Sequence, residues 1–462
     1  MSSRHPFTRR DAIASLFASA PLLRTLPQGS PNSPWEVTVF KHLTVIDGTG
    51  ATLRDHTVLI QDDRILAVGS TDSLPVAASA RVVDGRGRFM TPGLWDAHAH
   101  VSYFKASALP VLLANGVTSI RDMGGILSEL DEWKTETNQG TQPGPRIYRA
   151  GPILNGKVFN EFQVLVADAA ESRGAVRVLK NAKVDFVKVH AAISRDAYFG
   201  VQSECRRLGL PYVGHMPRAI TPEEASDAGQ LTLEHVGAFA DRFASEGVEP
   251  NNVAARLERF RKGEALALFA RFERNHTWFT PTLVVSKLAI HLGDHQPDWR
   301  DRYVSASCKK ITAELLMRPT YKSFFSPEAI KRQEREFEQL PPLVDLMHKA
   351  GVGLLAGTDC AASIIYPGFT LHDELELLVT SGLTPMESLL TATANPARIL
   401  GQSDLGIIKA GNRADLLLLD ANPMIDIRNT RKIQAVISRG KLLERPDLAK
   451  LLEGAAQEAA RT

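Results

Sequence analysis

Two histidines separated by one residue are the first feature of this sequence that indicates chemistry. His98 and His100 end the segment TPGLWDAHAH. Alternate residues of a β-strand point to the same side, so a strand here would direct both imidazoles at one place. Imidazole nitrogens bind zinc and similar divalent ions. Pairs of this spacing are common by chance, so the pair alone is weak support for a metal site.

Further candidate ligands follow short apolar runs later in the chain. Histidines occur in YVGHM and LEHVG, and an aspartate occurs in AGTDC. Imidazole and carboxylate together suit zinc or a similar divalent ion. Four histidines and one aspartate that each end an apolar run form a far more specific pattern than one pair. We therefore predict a metal site that contains His98, His100, His215, His235 and Asp359.

A lysine in the apolar run DFVKVH adds to this pattern. An unpaired ammonium group in a buried strand is costly, and two nearby cations would raise that cost. Carboxylation of Lys188 by carbon dioxide would create an anionic carbamate able to bridge two metal ions. Two alternatives stay open, since Lys188 could instead extend to the rim of the fold or pair with an acidic side chain.

The elements that must position these residues alternate in type through residues 89–401. Short apolar runs alternate with helical stretches, which predicts an α/β fold built as a (β/α)8 TIM-like barrel. In such barrels the carboxyl ends of the strands carry the chemistry. The predicted strands are Trp95–His100, Thr118–Asp122, Arg146–Ala150, Phe186–His190, Tyr212–His215, Leu233–Val236, Phe279–Leu283 and Leu354–Asp359.

The remaining segments predict smaller units around the barrel. Residues 36–88 and 402–444 read as short strands between Gly/Asp turns, and we expect them to form one small β-sandwich. Residues 445–462 predict a C-terminal helical tail. The stretch from about 286 to 349 is rich in charge of both signs, and it predicts either a helical lid or a solvated helical insertion.

The first 35 residues differ from the rest. Three arginines precede a short apolar run and a Pro/Ser/Gly stretch, an order typical of an export signal, and TRRD at 8–11 resembles a twin-arginine signal. We expect a periplasmic or extracellular protein. If the segment is only a disordered basic leader, the protein would be cytoplasmic.

Composition excludes several classes of protein. The chain has 462 residues, 44% hydrophobic and 23% charged, as in ordinary globular proteins. Its net charge of +2 is due to the leader, which contributes four arginines and one aspartate. A general nucleic-acid-binding surface is therefore not expected. Three cysteines are too few for a disulfide framework, and no later apolar run is long enough to span a membrane. A homo-oligomer is possible.

The motifs together resemble the amidohydrolase superfamily, in its binuclear branch with a carboxylated lysine. The finer features are similar to imidazolonepropionase-like enzymes and their Xaa-Pro or Xaa-Arg dipeptidase relatives. The matching segments are TPGLWDAHAH (91–100), RDMGG (121–125), KVH (188–190), GHM (214–216), EHVG (234–237), AGTDC (356–360), TATANPARILG (391–401) and GIIKAGNRADLLLLDANP (406–423).

This resemblance implies a site with two divalent ions, in the simplest case zinc. His98, His100 and Asp359 would hold the more buried ion, and His215 and His235 the more exposed one. Carboxylated Lys188 would bridge them. The resemblance further implies that a hydroxide bridging the two ions attacks an amide carbonyl. Asp359 would take the proton and pass it to the leaving nitrogen.

The expected substrate is a small molecule such as a dipeptide or an N-acyl amino acid, cleaved at a C–N amide bond. The alternatives are a cyclic-amide or imidazolone-type ring, another amide or carbamate, or a non-catalytic metal-binding role. His190, Tyr103 and Tyr366 are candidate substrate contacts. For Arg121 and Asp122 we expect a structural ion pair.

Overall fold

The computed structural model describes residues 37–241, 252–317 and 325–462. The predicted export signal lies outside these residues. The strands are β1 (Thr38–Ile46), β2 (Thr52–Gln61), β3 (Arg64–Ser70), β4 (Arg81–Asp84), β5 (Phe89–Pro92), β6 (Leu94–Ala99), β7 (Val117–Asp122), β8 (Arg146–Arg149), β9 (Ile153–Asn155), β10 (Gln163–Leu165), β11 (Val187–Val189), β12 (Tyr212–Gly214), β13 (Thr232–Glu234), β14 (Trp278–Thr280), β15 (Leu416–Leu419), β16 (Ile433–Ser438) and β17 (Lys441–Glu444).

Helices follow most of the strands in the middle of the chain, and the α/β class is therefore confirmed. The α-helices are α1 (Ala108–Ala114), α2 (Leu127–Gln139), α3 (Ala169–Asn181), α4 (Arg195–Leu208), α5 (Pro222–Asp227), α6 (Val253–Lys262), α7 (Ala265–Arg274), α8 (Leu283–Ala289), α9 (Ala306–Met317), α10 (Pro327–Phe337), α11 (Leu340–Lys349), α12 (Phe369–Thr380), α13 (Pro385–Thr391), α14 (Ala394–Ile399) and α15 (Arg445–Ala459).

One sheet combines strands from both ends of the described chain. Its order is β17-β16-β15-β5-β1-β2-β3, with β4 also paired to β1. The β5–β15 pair joins the two ends, because Thr91 lies opposite Leu417 in antiparallel register. Phe40, Met90 and Ile437 are among the fully buried side chains that form its apolar core. The strands make one hydrogen-bonded sheet, and its description as a β-sandwich stays a prediction.

Parallel strands form two further sheets, in the orders β6-β7-β8 and β10-β9-β11-β12-β13-β14. Seven of the eight strands predicted for the barrel overlap one of these observed strands. Most of them are buried along their whole length, as expected for parallel strands covered on both faces. Within the described residues no ladder of paired strands joins the two parallel sheets, so the closed barrel stays a prediction.

The eighth predicted strand, Leu354–Asp359, is wrong. Only isolated bridges occur there, from Leu354 to Phe279 and from Cys360 to Ala99. Asp359 has φ of 52°, in the left-handed region, so the chain turns where the strand was expected to end. Cys360, which follows this turn, is buried.

Helices surround the parallel strands and enclose the main apolar core. Leu112, Phe279 and Leu371 are fully buried members of that core. The predicted insertion contains α9, α10 and α11 within the described residues, and its role as a lid stays a prediction. The C-terminal helix α15 packs Ala455 and Ala456 against Val111 and Tyr303. No helix within the described ranges is long and apolar enough to cross a membrane.

Candidate metal centre

The end of β6 and the turn at Asp359 bring three candidate ligands together. Nε2 of His98 lies 3.4 Å from Oδ1 of Asp359, and Nε2 of His100 lies 3.3 Å from the same oxygen. One ligand atom from each of the three residues lies within 4.8 Å of the others. The backbone fixes this arrangement, because the Asp359 N–H donates to the His98 carbonyl at 2.7 Å.

Gly357 permits the close approach of the Asp359 segment to β6. A Cβ atom on Gly357 would lie 2.6 Å from Cβ of His98 and 2.7 Å from its backbone nitrogen. Asp96 also ties the two segments, since its carboxylate accepts the His98 N–H, the Thr358 N–H and the Thr358 hydroxyl. The spacing of the ligands is therefore set by buried contacts of the backbone.

The remote nitrogens of both β6 histidines have partners that fix the ring orientation. Nδ1 of His98 lies 2.9 Å from Oε2 of Glu234, and Nδ1 of His100 lies 2.8 Å from the Gly124 carbonyl. Both partners are acceptors, so each Nδ1 carries the proton and each Nε2 presents a lone pair. Such partners on the second ring nitrogen are typical of metal-binding histidines.

A buried ion pair supports His98. The Arg121 guanidinium donates to both carboxylate oxygens of Glu234, at 2.8 and 3.0 Å, and both side chains are fully buried. Arg121 also donates to the Ala97 carbonyl on β6. The structural role expected for Arg121 agrees with this, but its partner is Glu234. Asp122 instead accepts the N–H groups of Val101 and Gly124.

Lys188 lies inside the cluster. Its side chain is fully buried, and Nζ lies 3.4 Å from Nε2 of His98. Among the described residues it makes no ion pair, so neither the rim position nor the acid-paired alternative fits the structure. Burial lowers the pKa of Lys188 to about 8. A larger neutral fraction favours reaction with carbon dioxide, because the free amine is the nucleophile in carbamate formation.

His215 and His235 complete the cluster. Their ring centroids are 4.5 Å apart, and the His235 ring lies 4.7 Å from that of His98. Nδ1 of His215 and Nε2 of His235 are buried and have no hydrogen-bond partner within the described ranges. Buried polar atoms normally have partners, so an unsatisfied nitrogen on each ring fits a missing metal ligand bond. The residues present therefore fit a metal centre.

The surroundings lower the pKa of three of the four histidine rings and that of Asp359. Burial lowers the pKa of His98, His215 and His235. Burial alone would raise the pKa of Asp359, but His235 and His98 hold it well below its usual value. Neutral imidazole and ionised carboxylate are the forms that bind metal.

The three predicted substrate contacts lie in different surroundings. The His190 ring stacks near His215 with centroids 4.0 Å apart, and burial lowers the pKa of His190 to about 3. The Tyr103 ring lies 6.0 Å from His100, and its hydroxyl accepts from Asn160. The Tyr366 hydroxyl instead donates to Asp301 of the helical insertion at 2.7 Å. His190 and Tyr103 thus adjoin the histidine cluster directly.

The chain is similar to several known proteins. Residues 287–443 match the model of the amidohydrolase family. The chain is 24% identical to the ochratoxinase of Aspergillus niger, over 89% of this chain and 88% of that protein. It is 26% identical to the imidazolonepropionase of Ralstonia nicotianae, over 80% and 88% respectively. A solved Xaa-Pro dipeptidase shares the fold with a TM-score of 0.67 at 19% identity, covering 88% of this chain and all of that one.

The match to the amidohydrolase family covers about a third of the chain, and with the named relatives it supports a hydrolytic enzyme that acts on amides. The expected resemblance is therefore confirmed. The ligand types and their order along the chain were visible in the sequence. The supporting role of Glu234 was missed, although Glu234 directly precedes His235 in the EHVG motif.

Proposed function

We propose that this protein is a binuclear metal-dependent hydrolase that cleaves the C–N amide bond of a dipeptide or an N-acyl amino acid. The observation that carries the proposal is the convergence of four histidines, Asp359 and Lys188 on one buried cluster, in which two histidine nitrogens have no partner among the described residues.

The proposed ligand assignment follows the order of these contacts. His98, His100 and Asp359 would hold one ion, since their ligand atoms already lie together. His215 and His235 would hold the second. Carboxylated Lys188 would lie between them, and the mixture of imidazole and carboxylate suits zinc. When bound, the two ions would polarise the substrate carbonyl and lower the pKa of a water molecule.

The protein's own side chains would orient the reactants and move the proton. Asp359 would accept the proton of the attacking water and deliver it to the leaving nitrogen, so the amine leaves uncharged. The Glu234 carboxylate would hold the Nδ1 proton of His98 throughout. His190 and Tyr103 adjoin the cluster and would contact the substrate, with neutral His190 able to donate a hydrogen bond. Tyr366 would influence substrate binding indirectly, through its hydrogen bond to Asp301 of the helical insertion.

A ring-opening reaction is the second candidate function. It is supported by the similarity to an imidazolonepropionase over 80% of the chain. The dipeptide reading is supported by the fold shared with a Xaa-Pro dipeptidase. A site that accepts free-carboxylate amides of varied size favours the first function, whereas activity confined to a small cyclic amide favours the second.

We also propose the architecture of the protein and its location in the cell. We propose a closed (β/α)8 barrel over residues 89–401, in which the Leu354–Cys360 segment lies between β14 and β6 through its two bridges. The Asp185 N–H, just before β11, donates to the Arg149 carbonyl at the end of β8, which supports closure on the other side. Residues 1–35 would export the protein, and the ends of the remaining chain would form the sandwich.

The test is a hydrolysis panel with the enzyme before and after metal removal. Dipeptides, N-acyl amino acids and cyclic amides are assayed with chelated and zinc-reloaded protein. The proposal expects C–N cleavage of one of the first two classes, lost on chelation and restored by zinc. Full activity in chelated protein that contains no metal would contradict it, and exclusive activity on cyclic amides would favour the second function.

A further inference from the structure

A strained turn follows β14 and lies beside His235. Thr282 has φ of 48° and ψ of 47°, and its side chain is fully buried. A β-branched residue in the left-handed region is an outlier that persists only where the surroundings hold it, and such strain clusters at functional sites. The left-handed conformation of Thr282 must therefore be stabilised by neighbouring groups, and it suggests a functional role.

The role of the Thr282 turn follows from its contacts with His235 and Val236. Oγ1 of Thr282 lies 2.9 Å from Nδ1 of His235, and the Val236 N–H donates to the Pro281 carbonyl at 3.0 Å. If Nδ1–H donates to the Thr282 hydroxyl, the free nitrogen is Nε2. That atom is buried and has no partner among the residues that the structure describes. The turn thus aims the lone pair of His235 into the cluster.

The group that holds the turn is Glu374 on α12. Its two carboxyl oxygens accept the N–H groups of Leu283 and Val284, at 3.1 and 2.7 Å. These N–H groups begin α8 and have no partner within that helix. Glu374 is fully buried, and within the described ranges it forms no ion pair. An acidic side chain without a cation is costly at such a place, so it is not explained by packing alone.

We infer that Glu374 is a positioning residue for the metal site. It clamps the first turn of α8, the clamped turn keeps Thr282 in its left-handed conformation, and the Thr282 hydroxyl fixes the ring of His235. The inference rests on the proposed function, in which His235 is a metal ligand. It assigns a role in metal binding to two residues that lie outside the histidine and aspartate motifs.

The test measures the affinity of the metal-free enzyme for each of two zinc ions, by competition with a chromogenic chelator. Glu374→Ala is expected to lower the affinity for one zinc ion about tenfold or more, as loss of a supporting contact does in other metal sites. The affinity for the other ion is expected to stay unchanged. Glu374→Gln retains one carbonyl acceptor, so its zinc affinity is expected to fall less than that of Glu374→Ala. Thr282→Val removes the hydroxyl and is expected to lower the affinity for the same zinc ion as Glu374→Ala does.

The matched control is Asp415→Ala. Asp415 directly precedes β15, is also buried and also accepts a backbone N–H, from Arg439, but unlike Glu374 it pairs with a cation, Arg146 on β8. Its loss is expected to lower the melting temperature and leave both zinc affinities unchanged. A merely structural Glu374 would behave in the same way.

Two outcomes overturn the inference. One is a wild-type protein that binds two ions while Glu374→Ala and Thr282→Val bind both with unchanged affinity. If Glu374→Ala does not fold, Thr282→Val decides alone. The other is a wild-type protein that binds fewer than two ions, which contradicts the proposed function and removes the inference with it.

Discussion

Nδ1 of His98 and Oε2 of Glu234 lie 2.9 Å apart in the fully buried centre of the molecule. The two residues are 136 positions apart in sequence, on β6 and β13. Arg121 on β7 neutralises the carboxylate from the other side. Three strands thus cooperate to hold one histidine proton, which leaves Nε2 of His98 available to a metal ion.

Glu234→Gln should weaken metal binding. An amide carries less negative charge than a carboxylate and leaves the Arg121 charge unpaired, so zinc affinity should fall about 10- to 100-fold. The free energy of unfolding should fall by about 3–5 kcal/mol, the usual cost of breaking a buried ion pair. Chelator competition and denaturant unfolding measure the two effects.

The control for this variant is Glu224→Gln, which breaks the exposed Arg195–Glu224 pair. It should change stability by at most about 1 kcal/mol and leave zinc binding intact. Equal zinc affinities in the Glu234→Gln protein and the wild type would rule out a role of Glu234 in orienting His98.

Asp359→Asn should nearly abolish turnover while the fold is retained. The amide cannot accept the proton from water, and loss of such a group costs about 10²- to 10⁴-fold in rate. Loss of a ligand would add to that. The rate constant kcat is measured together with far-ultraviolet circular dichroism. A folded variant with full activity would refute the proton-transfer role.

Much of this site could be predicted from the sequence, for a physical reason. His98, His100, His215 and His235 follow apolar runs bounded by glycine or acidic residues, and β-strands of parallel sheets have that local pattern. Seven predicted barrel strands overlap observed ones. Glu234, Thr282 and Glu374 were missed, because their importance comes from contacts between distant segments. The strand predicted at Leu354–Asp359 is replaced by isolated bridges, and its last residue is left-handed, which the local sequence pattern does not reveal.

The contribution of Glu374 to stability should fall as pH rises from about 5 to 8. Burial raises the pKa of Glu374 from 4.5 to about 8. Over this range the unfolded chain releases the proton while the folded chain keeps it, so higher pH favours unfolding. The contribution has a slope of at most about 1.4 kcal/mol per pH unit. Below about 4.5 this stabilisation is complete.

Glu374→Gln removes this titration, so relative to the wild type its stability should gain as pH rises over the same range. Urea unfolding at intervals of half a pH unit measures it, with the exposed Glu224→Gln protein as the reference. Parallel profiles for the Glu374→Gln and wild-type proteins would show that Glu374 does not titrate between pH 5 and 8.

Lys188→Ala should remove activity that a small carboxylic acid restores in part. The substitution leaves a buried space beside His98, and acetate or propionate can supply the two oxygens that the proposed carbamate would provide. Activity is followed against acid concentration, with the equally buried Lys188→Met protein as the filled-space control. Failure of every acid to restore activity, in a variant that still folds, would count against an anionic bridge.

The central claim is that Lys188 carries a carboxylate between two ions. The most direct measurement is a crystal structure of the zinc-loaded protein with anomalous scattering recorded at the zinc edge. The binuclear assignment predicts two zinc peaks, one near His98, His100 and Asp359 and one near His215 and His235, with planar density for a carbamate on Nζ of Lys188. One zinc peak, or an unmodified Lys188 directed away from His98, would contradict it.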